Sequence, residues 1–144
     1  MKKVLVIAYY YPPLLDVGTQ RTHRFVRHMR KFGWEPHVLT VKNPDRHYCI
    51  TGGANHRGEY PVTRAFSLLN YSYLLGIFEK LIEIVERRIP IVKLKHSLWE
   101  ALAIPDRLSG WLLTAYLHGI RILRRNQYHL IYVSVNPFGA AIVA

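Results

Sequence analysis

The chain has a single cysteine, Cys49, so it can form no disulfide within itself, and nothing in its spacing suggests a zinc site. It is also poor in acid: nine Asp and Glu stand against twenty Lys and Arg, a net charge of +11. An excess of that size selects negative partners, whether nucleic acid, an anionic membrane surface or phosphorylated small molecules, and composition alone does not choose among them. No apolar run approaches the roughly 18 residues of a membrane span. The opening Met1-Lys2-Lys3 with the apolar residues 4–8 is not read as a leader. The run is short, it breaks into Tyr9-Tyr10-Tyr11-Pro12-Pro13, and no small-residue cleavage site follows. Internal repeats and low-complexity segments are absent too. These absences lead to the expectation of a cytoplasmic protein, soluble or peripheral on the inner face of a membrane.

Ready-made catalytic text is also missing. There is no G-x-G-x-x-G, no P-loop and no Gly-x-Ser-x-Gly elbow. The eight histidines, at 23, 28, 37, 47, 56, 96, 118 and 129, form no zincin pair. His118 reads as a packing residue within an apolar helix, and His37 as a strand residue facing a helix. No catalytic residue is assigned, and no metal or cofactor is expected.

What the chain does contain is a core and a pattern. Its 144 residues, half of them apolar, are the size of one domain. Residues 3–8 form a continuous β-branched and aliphatic run, the mark of a strand buried on both faces. Residues 9–18 read as a loop. Residues 19–32 read as a helix, with Thr22, Phe25, Val26, Met29 and Phe32 on one face and Gly33 as its C-terminal cap. Residues 36–41 are a second strand, and the unit is βαβ, with parallel strands. Residues 43–60 read as a loop and 61–66 as a third strand. A long helix is expected over 68–89, a short one near 97–102 and another over 108–125, with Arg121, Arg124 and Arg125 against its negative end. Residues 130–135 are a fourth strand, and 138–144 open a helix, which leads to the expectation of a domain incomplete at its C-terminus.

Three segments invite function. In Asp16-Val17-Gly18-Thr19-Gln20-Arg21, a glycine at a helix start lets a phosphate reach backbone N–H groups at the positive end of the helix dipole. The same text suits a tight turn in which Gly18 takes a positive φ and Thr19 is a plain cap. The helix that follows carries Arg21, Arg24, Arg27, His28, Arg30 and Lys31 without an acidic residue. The first two suit a phosphate fork, and the residues from Arg27 onward suit a solvated face. The stretch 68–95 sets Tyr71, Tyr73, Leu74 and Phe78 before Arg87, Arg88, Lys93 and Lys95, a composition that fits an anionic bilayer. Glu79, Glu83 and Glu86 favour instead an ordinary core helix. Asp16 and Asp106 are lone loop carboxylates, each a base, a sugar ligand or a cap, with Asp106 the stronger cap candidate.

Taken in order, these pieces resemble a known family. The run from Lys3 through Tyr9-Tyr10-Tyr11-Pro12-Pro13, then Val17-Gly18-Thr19-Gln20-Arg21, then Lys31-Phe32-Gly33-Trp34-Glu35-Pro36-His37-Val38-Leu39-Thr40-Val41, is similar to the opening of family 4 glycosyltransferases of the GT-B fold. Ile104-Pro105-Asp106, Gly110-Trp111 and the block from Leu130 to Phe138 resemble later segments of the same domain. The resemblance implies an α/β, Rossmann-like, doubly wound parallel sheet of about four strands, as the N-terminal, acceptor-side domain of a retaining transferase. It implies that Gly18, Thr19 and Arg21 meet the donor diphosphate of a nucleotide-sugar, and that a saccharide or lipid-linked acceptor of the cell envelope or an exopolysaccharide lies near Asp16, Asp106 and Asn136. The donor domain is absent from residues 1–144, so these residues alone are expected to be inactive. A histidine common in the family after the fourth strand is missing from Ser134-Val135-Asn136-Pro137. The rival expectation is a non-catalytic basic domain that binds a membrane or nucleic acid. The nucleic-acid form needs exposed base-stacking strands, which these apolar strands do not offer.

Overall fold

The computed structural model describes residues 1–44, 50–51, 60–68, 109–135 and 138–144. The expected helix over 68–89, the short helix near 97–102, Asp106 and Asn136 lie outside the described residues, as does Cys49.

The aliphatic run forms β1 (Lys2–Ile7), buried from Val4 onward. The chain then turns through the two-residue strand β2 (Leu14–Leu15) into α1 (Val17–Met29). Asp16 caps this helix: its backbone is extended and its side chain accepts from the Gly18 N–H at 2.7 Å. The helix therefore starts two residues earlier than its apolar periodicity indicated. Thr19 is a first-turn residue and not the cap. Gly18 is helical too, and the positive-φ reading of it falls. Gly33 holds that role, at φ 78°, the left-handed residue that closes the 3-10 turn Arg30–Phe32 after α1.

β3 (Trp34–Val41) runs parallel to β1, pairing Lys2 with Trp34 through Ile7 with Leu39. The segment read as a plain loop contributes β4 (Ile50–Thr51), antiparallel to β2. β5 (Val62–Ala65) adds to the outer side of β3. A 3-10 turn, Ser109–Trp111, leads into α2 (Leu112–Arg125), whose last turn carries Arg124 and Arg125 as expected. β6 (Leu130–Val133) returns to the free side of β1, and α3 (Ala140–Val143) follows. The main sheet is parallel, in the order β5-β3-β1-β6. Among the described residues no helix is long and apolar enough to cross a membrane.

Each face of the sheet has its own core. Leu5, Ile7, Leu39 and Val41 pack against Trp111, Ala115 and Ile122 of the α2 side and against Ala140 and Val143 of α3. On the other face Val4, Val6 and Val38 pack against Val26 and Met29 of α1. Alternation along β1 explains the division, since odd and even residues point to opposite faces. Phe25 and Phe32, expected on the buried face of α1, are exposed. Phe25 sits on the flank of the helix, where its ring lies 4.6 Å from that of Tyr132. Phe32 belongs to the 3-10 turn, whose tighter winding carries it off the core stripe.

His37 does not face a helix. Its Nδ1 lies 2.5 Å from the Tyr128 hydroxyl and its Nε2 2.9 Å from Thr63 Oγ1, so it ties β3 to β5 and to the turn before β6. Burial lowers its pKa below 6.5, and Lys3 lowers it further. Glu35 and Asn126 line the same small pocket as Lys3 and Tyr128. Since the folded state holds the proton more weakly, stability from this group is complete above the unfolded value and is lost as pH falls from there through the lower folded value. His37→Gln, which keeps two hydrogen-bonding positions, should therefore flatten the fall in thermal midpoint as pH drops below about 6.5. Superimposable pH profiles for the two proteins would contradict this.

Candidate functional site

In an open parallel sheet, ligands bind outside the carboxyl ends of the strands where the strand order reverses. Here the chain passes from β1 to β3 on one side, and β6 lies on the other. The switch point is therefore the crevice between β1 and β6. The hydrogen bond from Ser134 N to Ile7 O (2.9 Å) closes its floor. The start of α1 stands above it on one face of the sheet.

Three side chains meet there. Arg21 Nη2 donates to Ser134 Oγ at 3.3 Å. Thr22 Oγ1 lies 2.9 Å from Gly18 O and 3.2 Å from Ser134 Oγ. A hydroxyl has one proton to give. With Thr22 donating to the carbonyl, Ser134 supplies the proton of the other contact. The result is a directed chain, Arg21 to Ser134 to Thr22 to Gly18 O, which fastens the start of α1 to the end of β6 and holds the guanidinium over the crevice. Thr22 and Ser134 are both buried.

Thr19 adds a different kind of observation. It is only 4 % exposed, and its Oγ1 finds no hydrogen-bond partner among the described residues. A buried unpaired hydroxyl costs roughly 1–3 kcal/mol. It stands in the first turn of α1, where backbone N–H groups have no intrahelical acceptor. The Gly18 N–H is already engaged by Asp16. Gly18 therefore contributes clearance more than a donor: a Cβ there would lie 3.2 Å from Asp16 Oδ1 and 3.4 Å from Tyr10 Cβ.

The β1–α1 loop is itself anchored. Arg64 Nη2 donates to Pro12 O at 2.7 Å, and Thr40 Oγ1 donates to Tyr9 O at 2.9 Å. Burial, with Tyr60 adding to it, pushes the Tyr11 phenol up to about 12 against the opposing pull of Arg64.

Of the residues singled out from sequence, the fold thus brings Asp16, Gly18, Thr19 and Arg21 to one end of one crevice, with Asp16 acting as a helix cap. Asp106 and Asn136 lie outside the described residues. Thr22 and Ser134 were not singled out. Ser134 did carry a signal, as a small polar residue directly after an apolar strand at the ligand-binding end of a parallel sheet. Among the described residues no group of three His, Cys, Asp or Glu side chains is placed to hold a metal ion.

Comparison with known proteins adds no family: no family model matches the chain, and neither the curated proteins nor the solved structures give a match.

Proposed function

We propose that this chain is the N-terminal, acceptor-side domain of a retaining GT-B glycosyltransferase, acting at the cytoplasmic face of the membrane on a cell-envelope or exopolysaccharide acceptor. The observation that carries the reading is the switch-point crevice, where the start of α1 and the Arg21 guanidinium, held by Ser134, meet the end of β6. The donor diphosphate sits against the first turn of α1, taking its free N–H groups and the forked cation of Arg21. When the glycosidic bond to the diphosphate breaks, charge builds on the leaving oxygens, and pre-oriented donors at that spot stabilise it without reorganising. Arg21 is held in place by Ser134, so its fork is already aimed. The partner domain supplies the remainder of the nucleotide-sugar site, and the residues of the acceptor site belong partly to the segment around Asp106 and Asn136.

The test is transfer by the complete polypeptide with a panel of nucleotide-sugars. Arg21→Gln should lower kcat/KM for the donor by about a hundredfold, ~2.7 kcal/mol of transition-state stabilisation, with little change in thermal midpoint. A complete polypeptide that cleaves none of the panel, or a variant with undisturbed transfer, would sink the reading.

A further inference from the structure

A small pocket lies at the opposite end of the sheet from the crevice, towards the amino ends of β1 and β3. About 220 Å³ in volume, it is walled by Lys3 of β1, Glu35 and His37 of β3, Pro61 before β5, and Asn126 and Tyr128 of the turn after α2. Strand alternation brings these groups together. Lys3, Glu35 and His37 share the odd-numbered register of Leu5, Ile7 and Leu39, and so point to the α2 face. The turn is laced to β1 by hydrogen bonds from His129 N to Lys3 O (2.9 Å) and from Lys3 N to His129 Nδ1 (3.3 Å). Two kinds of polar group meet in the pocket. The first is satisfied: both ring nitrogens of His37 are engaged, by Tyr128 and Thr63, and form a fixed wall that is uncharged at neutral pH. The second is not. Lys3 and Glu35 are Cα partners on neighbouring strands, yet among the described residues neither charge has an ion-pair partner, and the Asn126 carboxamide makes no hydrogen bond. The two charges act on different walls: burial and then Lys3 lower the His37 pKa, whereas burial and then Glu35 raise that of Tyr128.

We propose that this pocket binds a small zwitterion of the amino-acid class, its carboxylate against Lys3 and its ammonium between Glu35 and Asn126. A lone anion would meet Glu35, and a lone cation Lys3, so a ligand carrying both charges is the one matched at each end. Asn126 is the C-cap of α2, and the negative end of that helix dipole adjoins the position of the ammonium. Size narrows the class further. The pocket falls below the roughly 300–1,000 Å³ of sites for drug-sized ligands, and at about 30 Å³ per water it holds roughly seven waters. A free amino acid with a short side chain fits that space; a nucleotide or a peptide does not. The inference is independent of the transferase reading. The crevice lies at the carboxyl ends of the strands, and none of its residues lines this pocket.

Calorimetric titration of the complete polypeptide with glycine, serine and threonine tests it, with acetate, methylammonium and glycerol as partial probes. At least one amino acid should bind saturably. Each partial probe should bind at least about tenfold more weakly, because it leaves one charge or both unmatched. Lys3→Gln and Glu35→Gln should each weaken amino-acid binding about tenfold or more at unchanged thermal midpoint. In the native protein the His37 imidazole resonances should shift along the same titration curve. If either Gln variant unfolds, those resonances carry the test by themselves. The absence of saturable binding across the three amino acids overturns the proposal. So does glycerol binding as tightly as they do, which would make the pocket a polyol site, or acetate doing so, which would make it a site for simple anions. Amino-acid binding that both variants leave intact, or that leaves the His37 resonances unmoved, lies elsewhere on the chain and overturns it too.

Discussion

Gly18→Val should abolish use of the donor diphosphate while leaving most of the fold standing. The new Cβ would meet Asp16 Oδ1 at 3.2 Å and the Tyr10 side chain at 3.4 Å, and the two methyls beyond it fill the space above the first turn of α1. Displacing the Asp16 cap costs about 1 kcal/mol, a fraction of a typical domain stability of roughly 5–15 kcal/mol. Blocking approach to the helix start removes its free N–H groups from the ligand, so nucleoside-diphosphate affinity of the complete enzyme should fall about a hundredfold or more. Asp16→Asn gives the opposite sign. Asparagine caps as well as aspartate, so the helix start keeps its geometry, but a negative charge next to the bound phosphates is gone and affinity should rise. Calorimetric titration of the three proteins with a nucleoside diphosphate reads both effects. Equal affinities across the set would show that the anion lies elsewhere.

That pair of expectations depends on a detail sequence alone misplaced. Asp16, Val17 and Gly18 look like the end of a loop, because apolar periodicity begins only at Thr22. The cap is decided by a 2.7 Å hydrogen bond that no periodicity encodes. The strands were legible for the opposite reason: β1 runs aliphatic from Val4 to Ile7 and β3 ends in the buried Val38-Leu39-Thr40-Val41, and burial on both faces of a parallel sheet leaves that trace in the text. The crevice was half legible. Gly18 and Arg21 lie within one short segment, but Ser134 joins them across 113 residues, and that contact follows from strand order. His37 shows the same limit. Its partners, Thr63 and Tyr128, stand 26 and 91 residues away, brought together only when β5 and β6 take opposite sides of the sheet. Phe25 and Phe32 were legible as apolar and helical, but not as exposed, because Phe25's exposure depends on which strands α1 covers and Phe32's on the 3-10 turn that replaces the last turn of the helix.

Trp111→Ala should be the costliest single change to stability, at roughly 3–5 kcal/mol. The side chain is fully buried and stands edge-on to Tyr9, with ring centroids 5.5 Å apart and planes at 86°. Truncation leaves a cavity between the start of α2 and the β1–α1 loop that a close-packed core closes only in part. Trp111→Phe should cost far less, because the indole N–H finds no acceptor among the described residues and its removal offsets part of the lost contact area. Urea unfolding separates the two. A Phe variant as unstable as the Ala variant would mean that the indole nitrogen is paired after all. The consequence reaches the crevice through packing alone. Trp111 supports Tyr9, Tyr9 stands 5.3 Å from Tyr10, and Tyr10 is what a side chain at position 18 would strike. Loosening Trp111 thus loosens the loop that sets the height of the α1 start over β1. In the complete enzyme the Ala variant, assayed well below its unfolding midpoint, should bind the donor diphosphate several-fold more weakly than the Phe variant, although neither residue touches it.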